Sequence, residues 1–261
     1  MSAIRIRQVC LVAEELEPVL TNLIEVLELR PCYTDPGVKE FGLQNIILPV
    51  GSNFLEVVSP IKKNTAAGRY LDRRGGDGGY MVICQVDSEE RQLEIKNNAS
   101  QRKVRVAWQS TNQDFHCMQF HPADMGGAFL EVDWDVLGQF SGSWHPAGGS
   151  GWMDDHRPSS VLRVASLSIQ SDDPGKLAAQ WSFVAGVDSE KKGNQIFLRF
   201  SDTDLIFTNL KDNRGPGLSE ISIEVRRIEK ILLKAKKCDL EVGDRSVKIC
   251  GVDFNLIERK N

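Results

Sequence analysis

One order of elements returns along this chain of 261 residues: a strand, a helix, then two or three further strands. A unit of that kind cannot bury its apolar sheet face alone, so repetition at this scale commits the chain to pairing its units around shared cores. The first unit opens at Ile4–Val12, where Ile4, Ile6, Cys10 and Val12 share one face with Gln8 in their midst. A helix over 14–29 follows, with Leu16, Val19, Leu20, Leu23, Ile24 and Leu27 at helical spacing and Pro18 tolerated in its first turn. Strands over 41–50 and 53–58 meet across Gly51-Ser52. The second unit has a strand at 79–86, a helix at 89–98 capped by Ser88, and strands at 104–109, 115–120 and 128–134.

A third, shortened unit places a strand at 161–169, a helix from Asp172 or Asp173 with Pro174 to about Val184, and strands at 196–200 and 205–210. The fourth has a strand at 218–225, a helix at 228–237, and strands at 239–242, 246–250 and 252–257. Residues 65–79 read as a short helix ended by Gly75-Gly76, and 138–158 turn to Gly, Ser and Pro around Trp144 and Trp152. The expectation is an α+β protein of four βαβββ modules in two domains. One spans 1–140 and a shortened, degenerate one spans 159–261, with a linker or lid over 141–158.

Composition excludes several classes. With 41% hydrophobic and 26% charged residues the chain is an ordinary globular protein rather than a disordered one. A net charge of −4 provides no broad basic field for nucleic acid. No apolar run reaches membrane-spanning length, and the N-terminus enters a strand pattern at once without a signal-peptide core, so a cytoplasmic location with no membrane partner is expected. The six cysteines form no Cys-x-x-Cys pair and read as buried thiols.

Two stretches stand out chemically: Asn53-Phe54-Leu55-Glu56-Val57-Val58 and Ala128-Phe129-Leu130-Glu131-Val132-Asp133. Each sets a carboxylate in an apolar strand. A glutamate in a strand most often faces solvent, but two copies at matching places in a repeated unit mark a site, because burying a lone carboxylate costs several kcal/mol unless donors or a cation compensate it.

The tandem βαβββ unit with an acid on its last strand resembles the vicinal oxygen chelate superfamily, which includes glyoxalase I, methylmalonyl-CoA epimerase, extradiol dioxygenases and bleomycin-resistance proteins. Within it the chain looks most like uncharacterised glyoxalase-like domain proteins. The motifs that carry the likeness are Phe41-Gly42-Leu43-Gln44-Asn45, Phe54-Leu55-Glu56-Val57, Gly78-Gly79-Tyr80-Met81-Val82, and His121-Pro122 ahead of Gly126-Gly127-Ala128-Phe129-Leu130-Glu131. The resemblance implies a divalent metal (manganese, iron, nickel or zinc) on the first and last strands of each unit, here Gln8, Glu56, Met81 and Glu131. Met81 stands where histidine is usual, and a thioether is a poor ligand for such ions. His121 is a substitute ligand to consider, against a plain structural role for it and for His116, His145 and His156. Without metal, Glu56 and Glu131 in one hollow would share a proton and work as acid and base. The matching positions of the second half, Val164, Phe207, Glu220 and Asn255, cannot hold a metal.

Three features point to substrate contacts. Arg69, Arg73 and Arg74 could bind an acidic group or simply form a solvated helix face. Gln44 and Asn45 offer amides at the start of a cavity strand, and Trp144 with Trp152 could close over a ligand or plug the space between domains. The resemblance thus implies a small oxygen-bearing metabolite. The protein would be either a lyase, isomerase or dioxygenase working through Glu56 and Glu131, or a non-catalytic binder of the bleomycin-resistance type. The oligomeric state stays open at this point; members of the superfamily often dimerise, and an exposed sheet edge would invite a homodimer.

Overall fold

The computed structural model describes residues 3–153 and 159–259. The first half runs β1 (Ile4–Val12), α1 (Leu16–Leu27), β2 (Leu43–Val50), β3 (Asn53–Pro60), α2 (Ala66–Arg74), β4 (Gly78–Val86), α3 (Glu89–Gln101), β5 (Val106–Thr111), β6 (Phe115–Phe120), α4 (Pro122–Met125) and β7 (Phe129–Asp135). The second half runs β8 (Val161–Ser171), α5 (Pro174–Ala185), β9 (Ser189–Lys192), β10 (Gln195–Arg199), β11 (Asp204–Asn209), β12 (Gly217–Val225), α6 (Ile228–Lys237), β13 (Ser246–Ile249) and β14 (Val252–Glu258). The protein is therefore α+β, as expected.

The strands of the first half lie in the order β2-β3-β1-β4-β7-β6-β5, and those of the second in the order β9-β10-β11-β8-β12-β14-β13. The two runs join where β4 meets β12 at Gly79 and Leu218. Only glycine fits there: a Cβ on Gly79 would lie 2.5 Å from the Leu218 side chain and 2.6 Å from its carbonyl oxygen. Helices cross the seam as well, α1 against α6 and α3 against α5. Arg74 donates to the carbonyls of Arg214, Gly215 and Pro216, and Arg91 to those of Ala185 and Gly186.

Local chemistry sets the helix ends. Thr65 caps α2 through the Gly68 N–H and Ser88 caps α3 through the Arg91 N–H, while Asp173 ahead of Pro174 starts α5. Gly75 and Gly186 close α2 and α5 in the left-handed conformation.

Three elements differ from the sequence reading. Residues 36–41 form a 3₁₀ helix, so β2 begins only at Leu43, and a third strand in the first unit is reduced to a bridge between Tyr33 and Ile47. Residues 239–242 contribute one bridge, Val242 to Val247, in place of a strand. The short β9 carries no apolar alternation, since Ser189, Glu190, Lys191 and Lys192 are all exposed, and its pairing to β10 is what makes it a strand.

The helix-covered faces of both halves share one apolar core, and a second cluster fills the curved inner face of the first half. That inner cluster brings Phe54, Tyr70, Tyr80, Met81, Trp144 and Trp152 together. Among the described residues no helix is long and apolar enough to cross a membrane, and all six cysteines are free thiols.

A buried carboxylate face in the first half

Register decides which side chains share the inner face. In the β1–β3 pairing Cys10 lies opposite Glu56, and in the β1–β4 pairing Gln8 lies opposite Ile83. Ile83 in turn pairs with Glu131 on β7. The β1–β4 ladder shifts register between Ile6 and Gln8, and Arg7 and Gln8 are buried along with the rest of β1.

Around Glu56 the polar groups form a closed set. Asn45 Nδ2 donates to Glu56 Oε1 at 2.6 Å, Gln8 Nε2 donates to Glu56 Oε2 at 3.0 Å, and Trp144 Nε1 donates to Gln8 Oε1 at 3.0 Å. Burial pushes the Glu56 carboxyl above its ordinary range while these amides pull it back. Behind the indole, the Arg7 guanidinium donates to the carbonyls of Gln139 and Gly142 and lies over the rings of Phe54 and Trp144. The segment after β7 is thereby fastened into the hollow, with Trp152 edge-on to Phe54.

Glu131 has other company. It is 7% exposed and accepts from Gln119 Nε2 at 2.6 Å. On the adjoining β6, Cys117 lies directly opposite Asp133, and ligand atoms of Cys117, Glu131 and Asp133 all fall within 4.8 Å of one another. Asp133 is fully buried, and neither of its carboxylate oxygens has a hydrogen-bond partner. Burial, with the nearby Glu56 charge adding to it, pushes Glu131 up to about 7. Burial and then the Glu131 charge push Asp133 up strongly, and burial likewise raises the Cys117 thiol. One residue pair further along, Asp135 accepts from Gln85 Nε2 and from the backbone N–H groups of Leu137 and Gly138.

The residues singled out in the sequence thus divide. Gln8, Asn45, Glu56 and Trp144 meet in one network, and Met81 packs in the apolar cluster beside it. Glu131 shares the inner face but belongs to the β6–β7 group, three strand spacings from Glu56. Gln44 faces outward and is exposed, because strand alternation allows only one of the two neighbouring amides to point inward. Arg69 is exposed and donates to the Asn64 carbonyl, Arg73 lies over Tyr70, and Arg74 is spent on backbone carbonyls. His121 caps α4 through the Ala123 N–H beside Arg105 and Asp124 and stands apart from the acidic group. His145 stacks on Phe115, His116 faces Trp134 and Glu89, and His156 lies outside the described residues.

Cys117, Gln119, Asp133 and Gln85 were not singled out beforehand. Asp133 was visible two residues past Glu131, hence on the same face; the other three required the strand register. Two surface cavities are present, the second of which reaches Cys117. One of about 290 Å³ includes Lys62, Lys63, Asn64 and Arg69, and one of about 380 Å³ lies between α3 and β5–β6, lined by Glu89, Lys96, Gln109 and His116 among others. Neither includes Glu56 or Glu131.

Solved structures of the same architecture are known. A manganese(II)-bound glyoxalase from Novosphingobium aromaticivorans superposes with a TM-score of 0.67 at 11% identity, covering 99% of this chain and 83% of that one. A hypothetical protein from Staphylococcus aureus gives 0.65 at 10% identity over 98% and 99% of the two chains. A triple mutant of 4-hydroxymandelate synthase from Streptomyces coelicolor gives 0.60 at 14% identity over 92% and 76%. The chain shares the fold of these three structures. No protein-family model matches the sequence, and no curated protein does.

A metal on Gln8, Glu56, Met81 and Glu131 does not fit the donors as they stand. The one metal-binding oxygen of Gln8 accepts from the Trp144 indole, both Glu56 oxygens are held by amides, and Met81 contributes neither oxygen nor nitrogen.

Proposed function

We propose that the protein takes a small oxygen-bearing metabolite on the inner face of β4, β6 and β7, with Glu131 and Asp133 as the working carboxylates. One observation supports this above the others. Of the buried acids here, Glu56 accepts from an amide at each oxygen, whereas Glu131 accepts at Oε2 alone and Asp133 accepts at neither oxygen. Unsaturated carboxyl groups in a dry, aromatic-covered site can orient a hydroxyl or carbonyl-derived oxygen and carry its proton, which suits lyase or isomerase chemistry. Glu56 acquires a different role from the one its sequence suggests: it fixes Gln8, and through it Trp144, in place.

A second reading, binding without turnover, is favoured by the aromatic filling of the hollow. Trp144 is fully buried on Gln8, so a ligand reaches Gln8 and Glu56 by displacing the segment that carries it. The test is a thermal-shift panel of 2-oxo acids, 2-hydroxy ketones and catechols, followed by turnover assays on the compounds that stabilise the protein. Stabilisation that E131Q abolishes supports the site, and product formation from the same compounds supports the enzyme reading. A shift that E131Q and D133N leave untouched overturns the assignment to β6 and β7.

A further inference from the structure

We propose that Cys117, Glu131 and Asp133 hold a divalent transition-metal ion of the zinc class, at a place displaced from the four-strand position of the superfamily onto β6 and β7. The inference rests on the reading that these strands carry the working groups. Its geometric basis is the register. Cys117 stands directly across the ladder from Asp133, Glu131 follows at the two-residue spacing that keeps it on the same face, and their ligand atoms lie within 4.8 Å of one another. Bonds of about 2.0–2.3 Å on either side of one ion span such a group.

An independent feature calls for a cation. Asp133 is fully buried with both oxygens unpartnered, and Gln85, its register partner on β4, is also fully buried with Oε1 unpartnered. Acceptors therefore crowd together, and among the described residues the Gln119 amide on Glu131 is the one N–H donor that reaches the two acids. Among the described residues no lysine, arginine or histidine makes an ion pair with Glu131 or Asp133. A buried acid in that condition is costly unless something positive meets it. One sulfur with two carboxylates is too soft a set for magnesium or calcium and suits zinc, cobalt or iron(II). Three protein ligands leave a fourth position for water or for the oxygen of a bound metabolite.

The experiment is a zinc titration of the full chain, freed of metal with a chelator, against a chromophoric competitor, repeated with cobalt(II) as a spectroscopic substitute. One zinc per chain and a thiolate-to-cobalt band in the near ultraviolet are expected. C117S should remove the band and weaken zinc binding at least tenfold, D133N should weaken it similarly, and E56Q should bind as the wild type does. Circular dichroism and melting of the metal-free variants establish that they fold; metal-free D133N should melt no lower than the wild type, because the acid it replaces is buried with no hydrogen-bond partner on either oxygen. Absence of zinc uptake by the wild type, undiminished uptake by both C117S and D133N, or loss confined to E56Q overturns the inference. If uptake is absent while E131Q still abolishes the response to carbonyl compounds, the metal inference fails and the metabolite reading stands. Intact zinc binding with no response to any compound in the panel fails that reading alone.

Discussion

The indole N–H of Trp144 donates to Gln8 Oε1 at 3.0 Å, linking residues 136 positions apart in the chain. Gln8 turns its amide nitrogen to Glu56, so one hydrogen-bonded chain runs from the covering segment to the carboxylate below it.

W144F keeps most of the ring and deletes that donor. The buried Gln8 oxygen is then unsatisfied, and the protein should lose about 1–3 kcal/mol in denaturant unfolding. W144A should cost more, about 3–5 kcal/mol, because the inner face also loses a fully buried ring.

Asn45 is bonded on both sides: its Nδ2 donates to Glu56 and its Oδ1 accepts from the Asp35 N–H at 3.0 Å. N45A should destabilise by about 1–3 kcal/mol. Unfolding of N45A, E56Q and the double variant should show a coupling of about 0.5–3 kcal/mol; strictly additive effects would remove Glu56 from the network.

At the seam between the two sheet runs, G79A should force Leu218 away and lower stability by about 1–3 kcal/mol. Adding L218A should restore only part of it, since the Leu218 carbonyl oxygen remains within 2.6 Å of the new methyl group. Urea unfolding of the three variants checks this.

Glu28, in the left-handed conformation after α1, accepts from Lys230 and Lys234 of α6 and from Ser160. These donors hold its carboxyl at about 2, below the ordinary 4.5. A carboxyl depressed on folding stabilises the protein above its unfolded value, and that contribution disappears as pH falls from about 4.5 towards 2. With Glu28 29% exposed, solvent screening reduces the contribution to about 1 kcal/mol. Wild type and E28Q should differ by that amount at pH 7 and converge near pH 2; a constant gap would show that Glu28 acts through shape rather than charge.

Much of the architecture was readable because apolar alternation and capping chemistry are local. Ser88, Asp173-Pro174 and Gly75 mark their helix ends in the sequence, and the structure uses each of them. Where a segment's partner decides its state, the pattern failed. β9 is polar throughout and exists through pairing with β10, whereas 239–242 has the look of a strand and forms one bridge. The site followed the same division. Two Phe-Leu-Glu-Val segments announced acids in apolar strands, yet nothing local distinguished Glu56, with an amide from Asn45 or Gln8 on each oxygen, from Glu131, left beside Cys117 and Asp133.

By itself the sequence determined the α+β elements, their helix caps and the setting of Glu56 and Glu131 among apolar strand residues, since periodicity and capping are local properties of the chain. Tertiary structure decided which acid finds donors, which cysteine stands opposite Asp133 and where Trp144 seats its indole. Those are properties of register and chain reversal, and a one-residue shift in pairing would have brought a different set of side chains together.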